Sequence, residues 1–184
     1  MKNVLSLTLL LIACLSFGQV GNKFPTMEAE TLSEEMLNLP EALSGKYSII
    51  GLAYTKKSED DLKTWFSPAY NQFLRPADKT NIFASDYDIN LYFIPMFTGH
   101  KTVAYKSVMQ KVQETIDHQL HKHVLFYKGT IKEYKEALNF KGRDEPYFFL
   151  LNENGEIVWM TSGAYSEAKM QEVVDHLEEA LGDW

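Results

Sequence analysis

Cysteine is nearly missing from this chain: there is one, Cys14, and it lies in an apolar run at the N-terminus. The rest of the sequence is left without disulfides, thiolate nucleophiles or cysteine-ligated metals. Positive charge is also scarce. Eighteen Lys+Arg stand against 25 Asp+Glu, a formal net charge of −7 at pH 7. The lysines are scattered, so no basic face is available to neutralise phosphates, which excludes nucleic acid as a main partner. The acidic balance itself reads as solvated surface. No long hydrophobic run follows the N-terminus, so nothing later reads as a membrane-spanning helix. Internal repeats, low-complexity tracts and Pro/Gly/Ser-rich linkers are absent as well. The length left suits one domain with a sizeable core, expected over residues 21–182.

The N-terminal run reads as an export signal. Lys2 supplies a positive charge, and Val4 to Ala13 is apolar apart from Ser6 and Thr8. At about ten residues it is too short to span a bilayer and has the length of a signal h-region. Two processing routes fit. Ser16-Phe17-Gly18 carries small residues where a signal peptidase cuts, making 1–18 the signal and Gln19 the new N-terminus. Leu11-Ile12-Ala13-Cys14 resembles a lipobox, making 1–13 the signal and Cys14 a lipidation site. Either route predicts an exported protein, periplasmic or lipid-anchored in the cell envelope, touching membrane only through that anchor.

Periodicity gives the elements. Gly21 to Thr31 reads as a lead-in segment with Pro25 blocking regular pairing, and Leu32 to Leu43 as a short helical or turn element interrupted at Pro40. Tyr47 to Tyr54 is an apolar run expected to be a buried central strand. Ser58 is placed to cap the next helix, with Glu59, Asp60 and Asp61 in its first turn. Leu62, Trp65, Phe66, Tyr70 and Phe73 continue it at helical spacing, and Pro68 is expected to bend or break it. Asn81 to Ser85 and Asn90 to Phe97 are strand candidates, with Pro95 marking an end or edge. Val103 to Leu120 reads as a helix, His123 to Tyr127 as a short buried strand, and Ile131 to Leu138 as a short helix. Tyr147 to Leu151 and Glu156 to Met160, joined by Asn152-Glu153-Asn154-Gly155, form the strongest local signal, a β-hairpin. Ser166 caps a last helix whose stripe is Met170, Val173, Val174, Leu177 and Leu181, ended by Gly182. The order β-α-β-α-β-α-β-β-α predicts an α/β fold: a mixed central sheet with helices on both faces.

Two stretches carry a resemblance. Leu39-Pro40-Glu41-Ala42-Leu43-Ser44-Gly45-Lys46, running into Tyr47 to Tyr54, resembles the entry to the thioredoxin-like fold in its periplasmic thiol-reductase and peroxiredoxin branch. Glu145-Pro146-Tyr147 through Trp159 resembles the second signature of that branch, in which a cis-proline begins a strand and a polar-Gly hairpin follows. The resemblance implies a redox centre at the start of the helix after the central strand. There this chain has Tyr54-Thr55-Lys56-Lys57-Ser58, with no cysteine. It also implies a groove for an extended peptide between that loop and the cis-proline loop. Here the groove would be lined by Tyr54, Thr55, Lys56, Glu145 and Pro146, with Trp65 nearby.

The C-terminal half is also similar to the ATP10 family of ATP synthase assembly factors. The similarity lies in Phe97-Thr98-Gly99, His123 to Gly129, Ile131 to Leu138, and Tyr147 to Trp159. That family is thioredoxin-like, lacks the redox pair, and assists a membrane subunit of ATP synthase without being an enzyme. Its members act in the mitochondrial matrix, whereas an export signal would place this chain on the opposite side.

Other constellations read as ordinary. His118 and His121, three apart, and the nearby His123 form a candidate metal cluster, weighed against solvated histidines at a helix end, and His123 is expected to start a strand. Thr55 or Ser58 would need an adjacent base to act as a nucleophile, and no histidine follows nearby. Glu59-Asp60-Asp61 and Glu178-Glu179 read as helix surface. Asn152-Glu153-Asn154-Gly155 lacks the downstream Glu of a calcium loop. Tyr92, Phe93, Tyr147, Phe148 and Phe149 are expected in the sheet core. The leading expectation is a redox-inactive binding or assembly module of the bacterial cell envelope that holds an extended segment of an envelope or membrane protein. It has no catalytic residues, cofactor or metal. The alternatives are an ATP10-like assembly factor and a cysteine-free enzyme.

Overall fold

A computed structural model describes residues 19–75 and 87–182. The signal segment with Cys14, and the strand expected over Asn81 to Ser85, lie outside the described residues.

Among the described residues seven strands form one sheet: β1 (Met27–Thr31), β2 (Met36–Leu39), β3 (Ser48–Ala53), β4 (Asn90–Thr98), β5 (Leu125–Gly129), β6 (Tyr147–Leu151) and β7 (Ile157–Ser162). Their spatial order is β2-β1-β5-β4-β3-β6-β7. β4 runs parallel to β3 and to β5. The other neighbours are antiparallel. Among the described residues five α-helices accompany the sheet: α1 (Lys56–Lys63), α2 (Phe66–Phe73), α3 (Tyr105–Thr115), α4 (Lys132–Ala137) and α5 (Glu167–Leu181).

The alternation of side chains divides the core into two layers. Ile49 and Ala53 of β3, with Phe148 and Leu150 of β6, face α1, α2, α3 and α5 through Leu62, Trp65, Phe73, Met109 and Val173. Ile50, Leu52, Phe149 and Leu151 face the other way, onto Phe24, Leu43 and the α4 residues Tyr134 and Leu138. Every residue of β3 is therefore buried, which is why its sequence is continuously apolar rather than alternating. Gly51 belongs to the first layer. A Cβ there would lie 2.6 Å from Phe148 Cε1 and 2.9 Å from Leu62 Cδ1, so its lack of a side chain lets α1 approach the sheet.

From β3 onward the observed order is the expected one. The hairpin β6–β7 forms where Asn154-Gly155 places it. Gly155 has φ +76, and a Cβ there would be 2.7 Å from Pro40 Cβ, so the turn needs glycine twice over. The Asn152 carboxamide oxygen accepts from the N–H groups of Asn154 and Glu156, each at 3.0 Å. Ser166 caps α5, and Gly182 ends it in the left-handed conformation. Leu181 departs from the expected stripe and is exposed. The helix expected through Pro68 is broken into α1 and α2, with Pro68 inside the first turn of the second piece, where it removes no helical hydrogen bond.

Four readings are corrected. The lead-in and turn segment is a β-hairpin, β1–β2, at the sheet edge. The expected helix Val103 to Leu120 is three pieces: a 3-10 turn over Gly99–Ala104, α3, and a 3-10 turn over His118–His123. His123 ends that second turn instead of opening a strand. Pro95 lies within β4, which is interior; the β4–β5 ladder breaks there, with an isolated Phe93–Val124 bridge before it and pairing resumed from Met96.

Candidate functional site

β3 ends at Ala53, and Tyr54-Thr55 carries the chain into α1. Thr55, not Ser58, is the N-cap: its hydroxyl accepts from the Ser58 N–H at 3.2 Å. Ser58 sits at the third helical position and reaches back. Its Oγ accepts from the N–H groups of Thr55 and Tyr54 at 2.9 and 3.1 Å and donates to the Thr55 carbonyl at 3.0 Å. Ser58 is fully buried. Both hydroxyls are occupied with capping, which is the opposite of a poised nucleophile.

The next shell is charged. Lys101 ion-pairs with Glu59 and donates to the Tyr54 carbonyl at 3.4 Å, binding the 99–104 turn to this helix start. Lys56 pairs with Asp60 at 2.8 Å. Lys135 lies over the Tyr54 ring, 5.0 Å from its centroid.

The loop before β6 does come alongside, as the groove expectation required. Tyr54 Oη donates to the Gly142 carbonyl at 3.0 Å, and the Thr55 hydroxyl points at the Arg143 carbonyl at 3.5 Å. Tyr147 Oη accepts from the Gly142 N–H at 2.6 Å and stands 3.2 Å from Glu145 Oε1. Glu145 Oε2 accepts from Ser162 at 3.0 Å. Phe140 stacks between the two tyrosines, 5.7 Å from Tyr54 and 4.3 Å from Tyr147. Burial is the main cause that raises the Tyr54 pKa, and it pushes Tyr147 up to about 12. Both phenols therefore stay protonated and keep donating.

The groove itself is corrected on three counts. The Glu145–Pro146 bond is trans; among the described residues the cis bond is Leu39–Pro40. Hydrogen bonds from Tyr54 and Thr55 bridge the space between the two loops instead of leaving backbone groups free. Trp65 does not line it: the indole is buried against Phe148 at 4.2 Å, and its N–H donates to the Gly163 carbonyl at 3.1 Å. Lys56 remains exposed at the rim. Glu145 and Tyr147 belong instead to a cleft of about 390 Å³ that also takes in Trp159 and Glu172.

The histidines do not converge. His118 and His121 lie ring to ring at 4.6 Å, and His121 Nε2 meets the Ile116 carbonyl at 3.2 Å. His123 turns inward, with Nδ1 3.0 Å from the Leu91 carbonyl. Among the described residues no group of three or more His, Cys, Asp or Glu is placed to hold a metal ion, and no helix is long and apolar enough to cross a membrane. Of the five aromatics assigned to the sheet core, Phe93, Tyr147, Phe148 and Phe149 are buried and Tyr92 is half-buried.

A feature missed from sequence is a cleft of about 590 Å³ beside the β1–β2 hairpin, lined by Glu28, Glu30, Met36, Tyr105 and Lys128 among others. The Tyr105 hydroxyl donates to Glu30 at 2.5 Å. The signal was present: Met27-Glu28-Ala29-Glu30-Thr31 alternates with period two, the mark of a half-buried strand.

The fold is thioredoxin-like α/β, and the helix after its central strand opens on the Thr55–Ser58 capping box. Among solved structures it is similar to yeast Sco1 (16% identity, TM-score 0.52, covering 85% of this chain and 95% of that one). It is similar also to a Chlorobium tepidum protein assigned as the thiol:disulfide interchange protein DsbE (12%, 0.54, 86% and 97%). A third is the reduced 2-Cys peroxiredoxin of Plasmodium vivax (13%, 0.51, 89% and 85%). At these identities the likeness is one of fold. No curated protein matches in sequence. The model of the ATP10 protein family matches residues 20–179, and the chain belongs to that family.

Proposed function

We propose that this protein is a redox-inactive assembly module: an ATP10-family protein that binds a segment of a membrane protein, here a subunit of ATP synthase, without thiol chemistry. The observation that carries this reading is the pairing of a family match across almost the whole domain with the Thr55–Ser58 capping box at the helix start. The chain's one cysteine, Cys14, lies outside that domain. A buried, fully bonded serine has no route to disulfide exchange. The ATP10 resemblance supplies the class of partner. The N-terminal segment supports placing the protein in the cell envelope, exported and soluble or held by a lipid on Cys14.

The experiment is capture of the tagged full chain from gently crosslinked membranes, read by mass spectrometry against an untagged control. Enrichment of ATP-synthase membrane subunits is the expected result. Their absence, with assembled ATP synthase unchanged when the gene is deleted, removes the assembly reading. Mass spectrometry of the mature N-terminus checks the address: Gln19 or a lipidated Cys14 means export, and an uncut Met1 removes it.

A further inference from the structure

The β1–β2 hairpin leaves one side of the sheet open. β2 is the terminal strand, and among the described residues none pairs with its outer side. The Thr31 N–H donates to the Glu35 carbonyl at 2.8 Å, and Leu37 and Leu39 lie opposite Ala29 and Met27. Antiparallel ladders alternate, so Leu37 and Leu39 spend their backbone groups on β1, whereas Met36 and Asn38 turn their N–H and C=O groups outward. Native edges are usually guarded by very short strands, charged side chains, proline or a bulge. At four residues β2 is short, but Met36-Leu37-Asn38-Leu39 carries no charge, proline or bulge, and Met36 is 57% exposed.

The charge carried by the hairpin segment itself is of one sign. Between Lys23 and Lys46 the chain carries Glu28, Glu30, Glu34, Glu35 and Glu41 and no Lys, Arg or His. The register puts Glu30 opposite Met36 and Glu28 opposite Asn38, so both carboxylates share a face with the exposed edge side chains. Glu28 is exposed. Glu30 is held by Tyr105. Lys106 and Lys128 line the same cleft, with Lys128 over the Tyr105 ring at 5.5 Å.

We propose that β2 is a docking edge, and that its occupant is an extended, lysine- or arginine-bearing segment of a partner protein that adds to the sheet as an outer strand. Unpaired backbone groups supply the affinity in this mode, and alternate side chains supply the selectivity. An apolar side chain on the new strand lies beside Met36. A basic one beside Asn38 reaches towards Glu28, which sits roughly 10 Å away across two strand spacings. A second copy of this chain fits poorly, because edge-to-edge pairing would bring two sets of these glutamates together. The inference rests on the binding role proposed above and names its surface and its partner's chemistry.

The test uses the full chain and a short synthetic peptide, Thr-Val-Thr-Lys-Thr-Val-Thr-Lys, whose valine and lysine are two apart and so share the face of Met36 and Asn38, compared with its counterpart carrying glutamate for lysine. Binding of the lysine peptide alone, weakening with salt, is expected. Asn38→Pro removes an outward N–H that β1 does not use, and should weaken binding about tenfold while circular dichroism is unchanged. A variant-free control methylates alternate backbone nitrogens of the peptide in its two registers: one register should abolish binding and the other leave it intact. The proposal is overturned if both peptides bind alike, if both methylated registers bind like the parent, if a folded Asn38→Pro binds as wild type, or if sedimentation shows the edge occupied by a second copy. Capture from membranes separates the two readings. If the full chain enriches ATP-synthase subunits and Asn38→Pro does so equally, the edge is overturned and the assembly role stands. If the peptide docks at β2 but no such subunit is captured, the edge stands and the assembly role falls.

Discussion

Thr55 and Ser58 close on each other at the head of α1, with the Thr55 hydroxyl 3.1 Å from Ser58 Oγ and each side chain accepting the other's backbone N–H. Ser58→Ala leaves the buried N–H groups of Tyr54 and Thr55 short of an acceptor. The expected loss is about 2 kcal/mol of unfolding free energy. A urea titration with an unchanged slope and a lower midpoint measures it; an unmoved midpoint would show that water replaces the serine.

The same pair has the spacing of a Cys-x-x-Cys motif across Lys56-Lys57. In a Cys14→Ser background, Thr55→Cys with Ser58→Cys should give a dithiol that closes to a disulfide on mild oxidation, since the two hydroxyl oxygens are already within 3.1 Å. Thiol titration and intact mass read the closure. If two free thiols persist under oxidant, Thr55 and Ser58 do not occupy the redox positions of the fold.

Gly51 faces Phe148 and Leu62 with no room for a methyl group. Gly51→Ala should cost about 1–3 kcal/mol through overpacking, because Phe148 is itself packed against Trp65. The opposite sign, a gain in Tm, would mean that α1 shifts outward freely.

His123 predicts how stability depends on pH. Its Nδ1–H donates to the Leu91 carbonyl, while Nε2 is buried without a hydrogen-bond partner among the described residues. Burial, with a lesser effect from Lys122, holds the imidazole pKa below its ordinary value. The fold therefore keeps the neutral ring. Its contribution is full above the unfolded pKa of about 6.5 and is lost as pH falls from there to the lower folded pKa. Urea midpoints between neutral and mildly acidic pH should fall for wild type and fall less for His123→Gln. Parallel curves would remove His123 as the titrating group.

Several local signals in this chain held, although the cap at Ser58 and the single helix over Val103 to Leu120 did not. The Asn154-Gly155 turn, the Ser166 cap, the Gly182 stop and the buried run of β3 are settled within a few residues, by backbone conformation, capping and apolar pattern. The absence of cysteine after Cys14 is equally a property of the sequence. What the sequence could not decide was set by partners far along the chain. Met27–Thr31 became a strand because β5 offered it an edge, and Met36–Leu39 because β1 then offered the next. Trp65 went inward to meet Phe148 and the Gly163 carbonyl, the latter 98 residues on. The gap between residues 54–56 and 142–146 was bridged by Tyr54 and Thr55, whose partners are 88 residues away. The open edge at β2 likewise has no local signature, because whether a strand lies inside or at the rim depends on what the rest of the sheet leaves uncovered.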